Sequence, residues 1–294
     1  MRYHERAPFV PITQRPPLRW PNGARLAVWV VPNIEYFDEE TLGGVAISQL
    51  PPQGPDIVNY SWHDYGMRLG IWRIMETMKK LAIPGTVALN ALVCDHYPAV
   101  VDACVELGWE IMGHGLTNSR ALSAMGEDEE RKTITAALAK IEAYTGRRPA
   151  GWLGSALHET PRTLEILASN GVRYVGDWIN DEQPYPLRLA AGSIMSMPYS
   201  IEINDIGIFL KRGFTGPDYQ RMLLDQFEVL YEESAVTGKV MCIALHPFIT
   251  GAPYRAKHLA AALTQMREYK DVWFATGSEI LDAFEAASSA TPDP

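Results

Sequence analysis

Residues 24–36, "ARLAVWVVPNIEY", are apolar at consecutive positions rather than alternate ones, with Val and Trp in the run. A strand wet on one face alternates apolar and polar side chains. One that does not alternate is buried on both faces, as in a parallel sheet covered by helices. The run stops at Glu35, an ionisable side chain where the apolar strand ends.

Downstream the chain repeats this grammar. "GMRLGIWRIMETMKKLA" (66–82) places Ile71, Met75, Met78 and Leu81 on one helical face. The short strand "TVALNAL" (86–92) follows, then helix "YPAVVDACVELG" (97–108), strand "WEIMGH" (109–114) and helix "DEERKTITAALAKIEAYTG" (128–146). Glycines close both helices, as C-terminal stops commonly do. "AGWLG", "RYVGDW", "SIMSMPYS", "VMCIALHP" and "VWFATG" read as further strands, separated by helices such as "TPRTLEILASNG" and "PDYQRMLLDQFEVLYEESAVTG". Seven or eight strands alternating with helices predict an α/β protein with a parallel sheet. No composition break divides the chain, so the expectation is one barrel-like domain over residues 25–287. It would be preceded by a Pro-rich arm (1–24) and followed by a disordered tail, "SSATPDP" (288–294). Residues 38–64 are turn-rich and aromatic, too long for a routine connection, and read as a lid or an interface.

Composition narrows the partners. Net charge is −9 and no basic run occurs, which argues against nucleic acid and anionic membranes. No apolar run approaches the roughly 18 residues of a membrane span. Cys94, Cys104 and Cys242 are scattered in apolar sequence and read as buried free thiols of a reducing compartment. The N-terminal residues carry charges and prolines where a signal peptide needs an apolar core, so a cytoplasmic location is expected.

In (β/α) barrels the chemistry sits at the carboxyl ends of the strands. Glu35, His114, Asp177 and His246 all stand there. Each has a plainer reading: a solvated acid for Glu35, a turn cap for Asp177, a structural imidazole for either histidine. Asn118 stands four residues after His114, where a second histidine would complete a metal pair on one helical face. An amide oxygen is a poor ligand for zinc, so spacing alone makes a weak metal site. Glu110, Met112 and His114 share one face of a period-2 strand, which would let Glu110 approach the same cavity.

Several short blocks occur in order along the chain: "DYGMRLGIWR" (64–73), "EIMGHG" (110–115), "GRRPAGW" (146–152), "YVGDWINDEQPY" (174–185), "MPYSIEIND" (197–205) and "ALHP" (244–247). Through them nearly the whole chain resembles the polysaccharide deacetylase (NodB-homology) superfamily, within it the branch of metal-independent allantoinases and cyclic imide hydrolases. The resemblance implies a distorted, NodB-like (β/α) barrel, with His246 as the catalytic histidine and a homo-oligomer of two or four copies. Metal-using members end their first strand with paired aspartates and carry histidine at both ends of the His-x-x-x-His block. This chain has the single Glu35 in "NIEYFD" and Asn118 in "GHGLTN". The motif thus keeps its outline without its ligands, and no cofactor is expected. A retained zinc or other divalent cation would fall to Glu35, His114, Asn118 and Asp38.

The expected activity is hydrolysis of non-peptide C–N bonds in small cyclic amides, the opening of an imide or ureide ring. Glu35 is the candidate base, with its pKa raised by enclosure among Tyr36, Trp62 and Trp178. His246 is the candidate acid, and His114 would orient water or donate to the oxyanion. Trp62, Tyr65, Trp152 and Trp178 are candidate walls for a planar ring, though each is also an ordinary core aromatic. Asp177 is a further candidate substrate contact. Asn204 and Asp205 bind polar ring atoms on family likeness alone. The alternatives are a metal-dependent N-deacetylase of amino sugars and an inactive barrel that only binds a ligand.

Overall fold

The computed structural model describes residues 2–39, 45–47 and 56–289. Part of the expected lid or interface, and the last five residues of the expected tail, lie outside them. Among the described residues nine strands form one sheet: β1 (Leu26–Ile34), β2 (Thr86–Leu89), β3 (Glu110–Gly113), β4 (Gly151–Trp152), β5 (Tyr174–Val175), β6 (Tyr185–Arg188), β7 (Ser193–Ser196), β8 (Lys239–Leu245) and β9 (Val272–Phe274). Their order is β6-β7-β5-β4-β3-β2-β1-β8, with β9 paired to β1. Every pairing is parallel except β6 with β7.

The distortion of the barrel lies at β1. One edge pairs with β8 from Leu26 to Pro32, whereas the other meets β9 at Leu26–Val28 and β2 only at Asn33 and Ile34. The sheet does not close strictly. Between β6 and β8, the two ends of the strand order, the backbone N–H of Val240 donates to the carbonyl of Glu182 at 2.8 Å, just before β6. β7 falls within the expected strand "SIMSMPYS", whereas β6 is absent from the sequence reading. Pro186 within β6 argued against a strand there, and β6 accommodates it by lying at the end of the sheet order, where a missing N–H breaks no ladder.

Two buried clusters explain the unbroken apolar run of β1. Val28, Val30 and Ile34 face the helix layer together with Val87, Leu89, Trp152, Ile243 and Leu245. Ala27, Trp29 and Val31 face the barrel interior with Ala88, Met112, Leu153, Tyr199, Cys242 and Ala244. Alternate residues along a strand keep to one face. The interior parity therefore continues upward to Asn33 and Glu35 on β1, to Asn90 after β2, His114 after β3 and His246 after β8. The expected arm is integrated with the domain: Leu18 and Trp20 join the interior cluster, and Arg6 is buried against Glu165 at 2.9 Å. At the other end a helix runs from Gly277 to Ser289, two residues into the expected tail.

Residues 57–80 form nearly continuous helix, with a π-helical turn at Gly66–Gly70 between Ile57–Tyr65 and Ile71–Lys80. The two glycines seat it on the backbone that follows His246. A Cβ on Gly66 would come within 2.7 Å of the Phe248 amide nitrogen, and one on Gly70 would overlap the Pro247 carbonyl oxygen. Neither neighbour is a flexible side-chain end, so the clash cannot be relieved cheaply. Gly70→Ala is expected to destabilise the fold by about 3 kcal/mol, at the upper range for overpacking. A thermal melt checks this, and an unchanged Tm would show that the helix does not depend on that close approach.

Candidate active site

The interior-facing side chains at the top of the barrel converge on Glu35. Its Oε1 accepts from the Asn118 amide Nδ2 at 2.8 Å, lies 3.3 Å from His114 Nε2 and 3.7 Å from His246 Nε2. All three ionisable groups are buried. Glu35 Oε2 is also buried and has no hydrogen-bond partner among the described residues, and the same holds for Asn118 Oδ1.

Each histidine is oriented from behind. The Nδ1–H of His114 donates to the carbonyl of Leu153 at 2.7 Å, which turns Nε2 toward Glu35. The His114 carbonyl accepts from the Asn90 side chain and from the Ser155 hydroxyl. The Nδ1–H of His246 donates to Asp205 Oδ1 at 2.6 Å, while Asp205 Oδ2 accepts from the His246 backbone N–H at 2.7 Å and the Thr250 hydroxyl at 2.5 Å. Asp205 is fully buried and spends both oxygens on this task. It therefore positions His246, and the expectation that it contacts substrate is corrected.

The "GHGLTN" stretch folds back over the end of β1. The Asn118 N–H and the Thr117 hydroxyl both bond the Tyr36 carbonyl, at 2.8 and 3.1 Å. This brings the Asn118 amide to Glu35. A cation held by Glu35, His114 and Asn118 would need lone pairs directed at one open point. Here a nitrogen bearing hydrogens and an imidazole nitrogen meet a single carboxylate oxygen. The Asp38 carboxylate accepts from the Thr117 hydroxyl at 3.4 Å, and its backbone N–H donates to the Ser119 hydroxyl at 2.8 Å. Among the described residues no three His, Cys, Asp or Glu side chains are placed to hold a metal ion. This donor set does not fit a divalent cation.

The electrostatics differ from expectation. Burial pushes the Glu35 carboxyl up, but the charge of His246 and the interaction with His114 outweigh it and hold the carboxyl below its ordinary value. The sequence reading counted desolvation by aromatics and omitted the opposing cations. Burial pushes the His246 imidazole down, yet the charges of Asp205 and Glu35 and the hydrogen bond to Asp205 raise it above its ordinary 6.5. Both shifts favour the charged forms, a carboxylate facing an imidazolium.

Other expected residues fall elsewhere. Trp152 has the outward parity and is fully buried, its ring against Gly113 and Leu138 in the helix-facing core, so it offers no wall to a ligand. Tyr65 accepts from Arg73 at 2.7 Å on the flank of the long helix. Trp178 donates its indole N–H to Glu159 at 3.3 Å and packs edge-on against Tyr3. Asp177 accepts from the Gly154 N–H at 2.7 Å, and burial together with the neighbouring Glu159 charge pushes its carboxyl well up. Asn204 caps the backbone N–H of Ile206 at 2.9 Å. Glu110 shares the His114 face but sits at the start of β3, bonded to Thr86, Tyr174 and Ser278 at the opposite end of the barrel. Of the proposed walls only Trp62 lies beside the site, edge-to-face with Phe248 at 4.8 Å.

Sequence reasoning passed over His63. It is buried, stacked on Phe37 at 3.7 Å, and lines with Glu35, Phe37, Tyr60, Asp64, Met67 and Tyr97 a cavity of about 10 Å³, the space of one water. Its only signal was a histidine beside Trp62 in an otherwise helical segment. A larger cavity, about 750 Å³, lies between the N-terminal arm and residues 179–188, away from the residues converging on Glu35.

Comparisons with known proteins agree with this architecture. Residues 53–175 match the family model described as polysaccharide deacetylase. A Schizosaccharomyces pombe protein assigned to the polysaccharide deacetylases is 28% identical over 297 residues, covering 91% of this chain and 92% of that protein. The crystal structure of a Pseudomonas aeruginosa PAO1 protein of the same assignment superimposes with a TM-score of 0.83 at 28% identity, covering 93% of this chain and 95% of that one. PuuE allantoinase superimposes with a TM-score of 0.84 at 28% identity, covering 94% and 96%. Domain match, relatives and a distorted barrel with its strand-end histidines point the same way: residues 53–175 carry a polysaccharide deacetylase match, and nearly the whole chain is similar to proteins of that assignment and to PuuE allantoinase.

Proposed function

We propose that the protein hydrolyses a C–N bond in a small cyclic amide, opening an imide or ureide ring. The observation that carries this reading is the division of labour on Glu35. Oε1 is held by Asn118 and faces both histidines, while Oε2 is left without a partner among the described residues. An ionised carboxylate with one oxygen pinned and one free suits a general base.

In the proposed reaction Glu35 Oε2 takes a proton from water as the water oxygen attacks the ring carbonyl. The C–N bond of the tetrahedral intermediate then breaks, and the imidazolium Nε2–H of His246 protonates the departing nitrogen. His114, fixed by Leu153, stands beside Glu35 to orient the water or to donate to the oxyanion. The product acid keeps the water oxygen, and the proton gained by Glu35 returns to His246. A second carbonyl on the leaving nitrogen stabilises its developing charge, so an imide or ureide needs less electrophilic help than an acetamide. The likeness to PuuE allantoinase supports the same class.

Glu35→Gln is expected to lower kcat/KM on succinimide or allantoin by roughly 10²–10⁴-fold, the usual share of a general base. Turnover by the parent enzyme should survive exhaustive chelation. Turnover of an N-acetylated amino-sugar oligomer instead, abolished by chelator and restored by a divalent ion, would replace this reading with metal-dependent deacetylation.

The pH dependence follows from the two shifts. The reactive state needs Glu35 ionised and His246 protonated. Glu35 is held below 4.5 and His246 above 6.5, so activity should be flat across that interval. It should fall on the acid side as Glu35 is protonated and on the alkaline side as His246 loses its proton. Stability from the pair has the same limits, lost as pH falls through the Glu35 value or rises through the His246 value. Asp205→Asn removes one of the charges that raises His246, so its alkaline limb should move to lower pH. A kcat/KM profile with an unmoved alkaline limb would show that His246 is not the acid.

A further inference from the structure

We propose that His63 is a substrate-recognition residue whose Nδ1 accepts a hydrogen bond from a ring N–H of the substrate beside Glu35. The inference rests on the cyclic-amide reading and deepens it: the site selects rings that carry an N–H over their N-alkylated counterparts.

The tautomer is fixed by one contact. His63 Nε2 lies 2.8 Å from the Val45 carbonyl, and a carbonyl only accepts, so Nε2 carries the hydrogen. Burial pushes the imidazole down to about 4, against the charge of Glu35 and the hydrogen bond to Val45, with the charge of His246 adding to the fall. A neutral ring with its hydrogen on Nε2 has a bare lone pair on Nδ1. That nitrogen is buried and has no partner among the described residues.

A histidine kept only for packing would have both nitrogens satisfied or would be replaceable by an apolar side chain. His63 is instead clamped in one orientation, stacked on Phe37 at 3.7 Å and 9° and edge-on to Phe248 at 4.7 Å. It lines the same cavity as Glu35. Counted with Glu35 Oε2 and Asn118 Oδ1, the residues around the site hold three buried acceptors without donors among the described residues. Such a set fits a ligand rich in N–H groups, as imides and ureides are, and suits poorly a ligand that offers only acceptors. Val45 also links recognition to the segment before the helix, since Ile47 N–H donates to Asn59 Oδ1 at 2.8 Å and ties that segment to the helix carrying His63.

The test uses succinimide and N-methylsuccinimide as probes with the full-length protein. The parent enzyme is expected to favour succinimide in kcat/KM. His63→Leu, which keeps an apolar side chain on Phe37 but loses the acceptor, should narrow that preference by about tenfold, the order expected for one hydrogen bond. His63→Asn, whose Oδ1 can replace the imidazole Nδ1, should retain it. An unchanged preference in an active His63→Leu enzyme overturns the proposal, whereas absence of turnover on either imide by the parent enzyme overturns the cyclic-amide reading instead. A measurement free of variants guards against a misfolded leucine protein. With 15N-labelled histidine, the unprotonated Nδ1 resonance of His63 should shift on adding succinimide and stay in place with N-methylsuccinimide. Equal responses to the two compounds overturn the proposal.

Discussion

Burying an ionised carboxylate without compensation is costly enough that the group would ordinarily take up a proton. Glu35 remains ionised because cationic and polar nitrogens surround it, and the architecture above β1 exists to hold those nitrogens in place. Asn118 arrives through a loop anchored on the Tyr36 carbonyl, His114 is turned by Leu153, and His246 is charged and aimed by Asp205. Removing any one partner leaves the others arranged around a less stable charge. The site is therefore a single electrostatic unit, and its members should prove non-additive on mutation.

The same arrangement accounts for the altered metal motif. In a metal site, lone pairs converge on a cation. Here the Asn118 amide donates to an anion, the opposite polarity. Asn118 suits that inversion because its amide nitrogen donates to Glu35, which a carboxylate oxygen or a bare imidazole nitrogen would not do. In the proposed reaction the positive charge resides on His246, favoured by its buried aspartate.

Much of this was legible in the sequence. The uninterrupted apolar run before Glu35 announced a doubly buried parallel strand, and the strand-end rule picked out Glu35, His114 and His246, which the fold brings together. Period 2 within β3 also put Glu110 on the His114 face, but sequence spacing did not convey that four residues of strand separate the two ends of a barrel. Trp152 differs from Leu153 by one position and so faces the other way; with strands this short, one residue decides between lumen and helix layer. Asp205 and His63 were harder to place. The role of Asp205 depends on a histidine 41 residues later in the chain. That of His63 depends on a carbonyl at Val45, outside its helix, and on stacking by Phe37. Of the hairpin, β7 was read as a strand but β6 escaped, because Pro186 is tolerated only at the end of the strand order, a fact of topology.

The π-helical turn at Gly66–Gly70 sets an angular phase. Successive residues of an α-helix are offset by about 100° around its axis. The wider turn therefore changes the rotation of Ile57–Tyr65 relative to Ile71–Lys80. The C-terminal half keeps Ile71, Ile74, Met75 and Met78 in the core, while the N-terminal half presents His63 to the cavity and leaves Ile57 and Val58 exposed. One continuous helix thus serves two neighbours, its wider turn falling where Gly66 and Gly70 meet the backbone of Phe248 and Pro247.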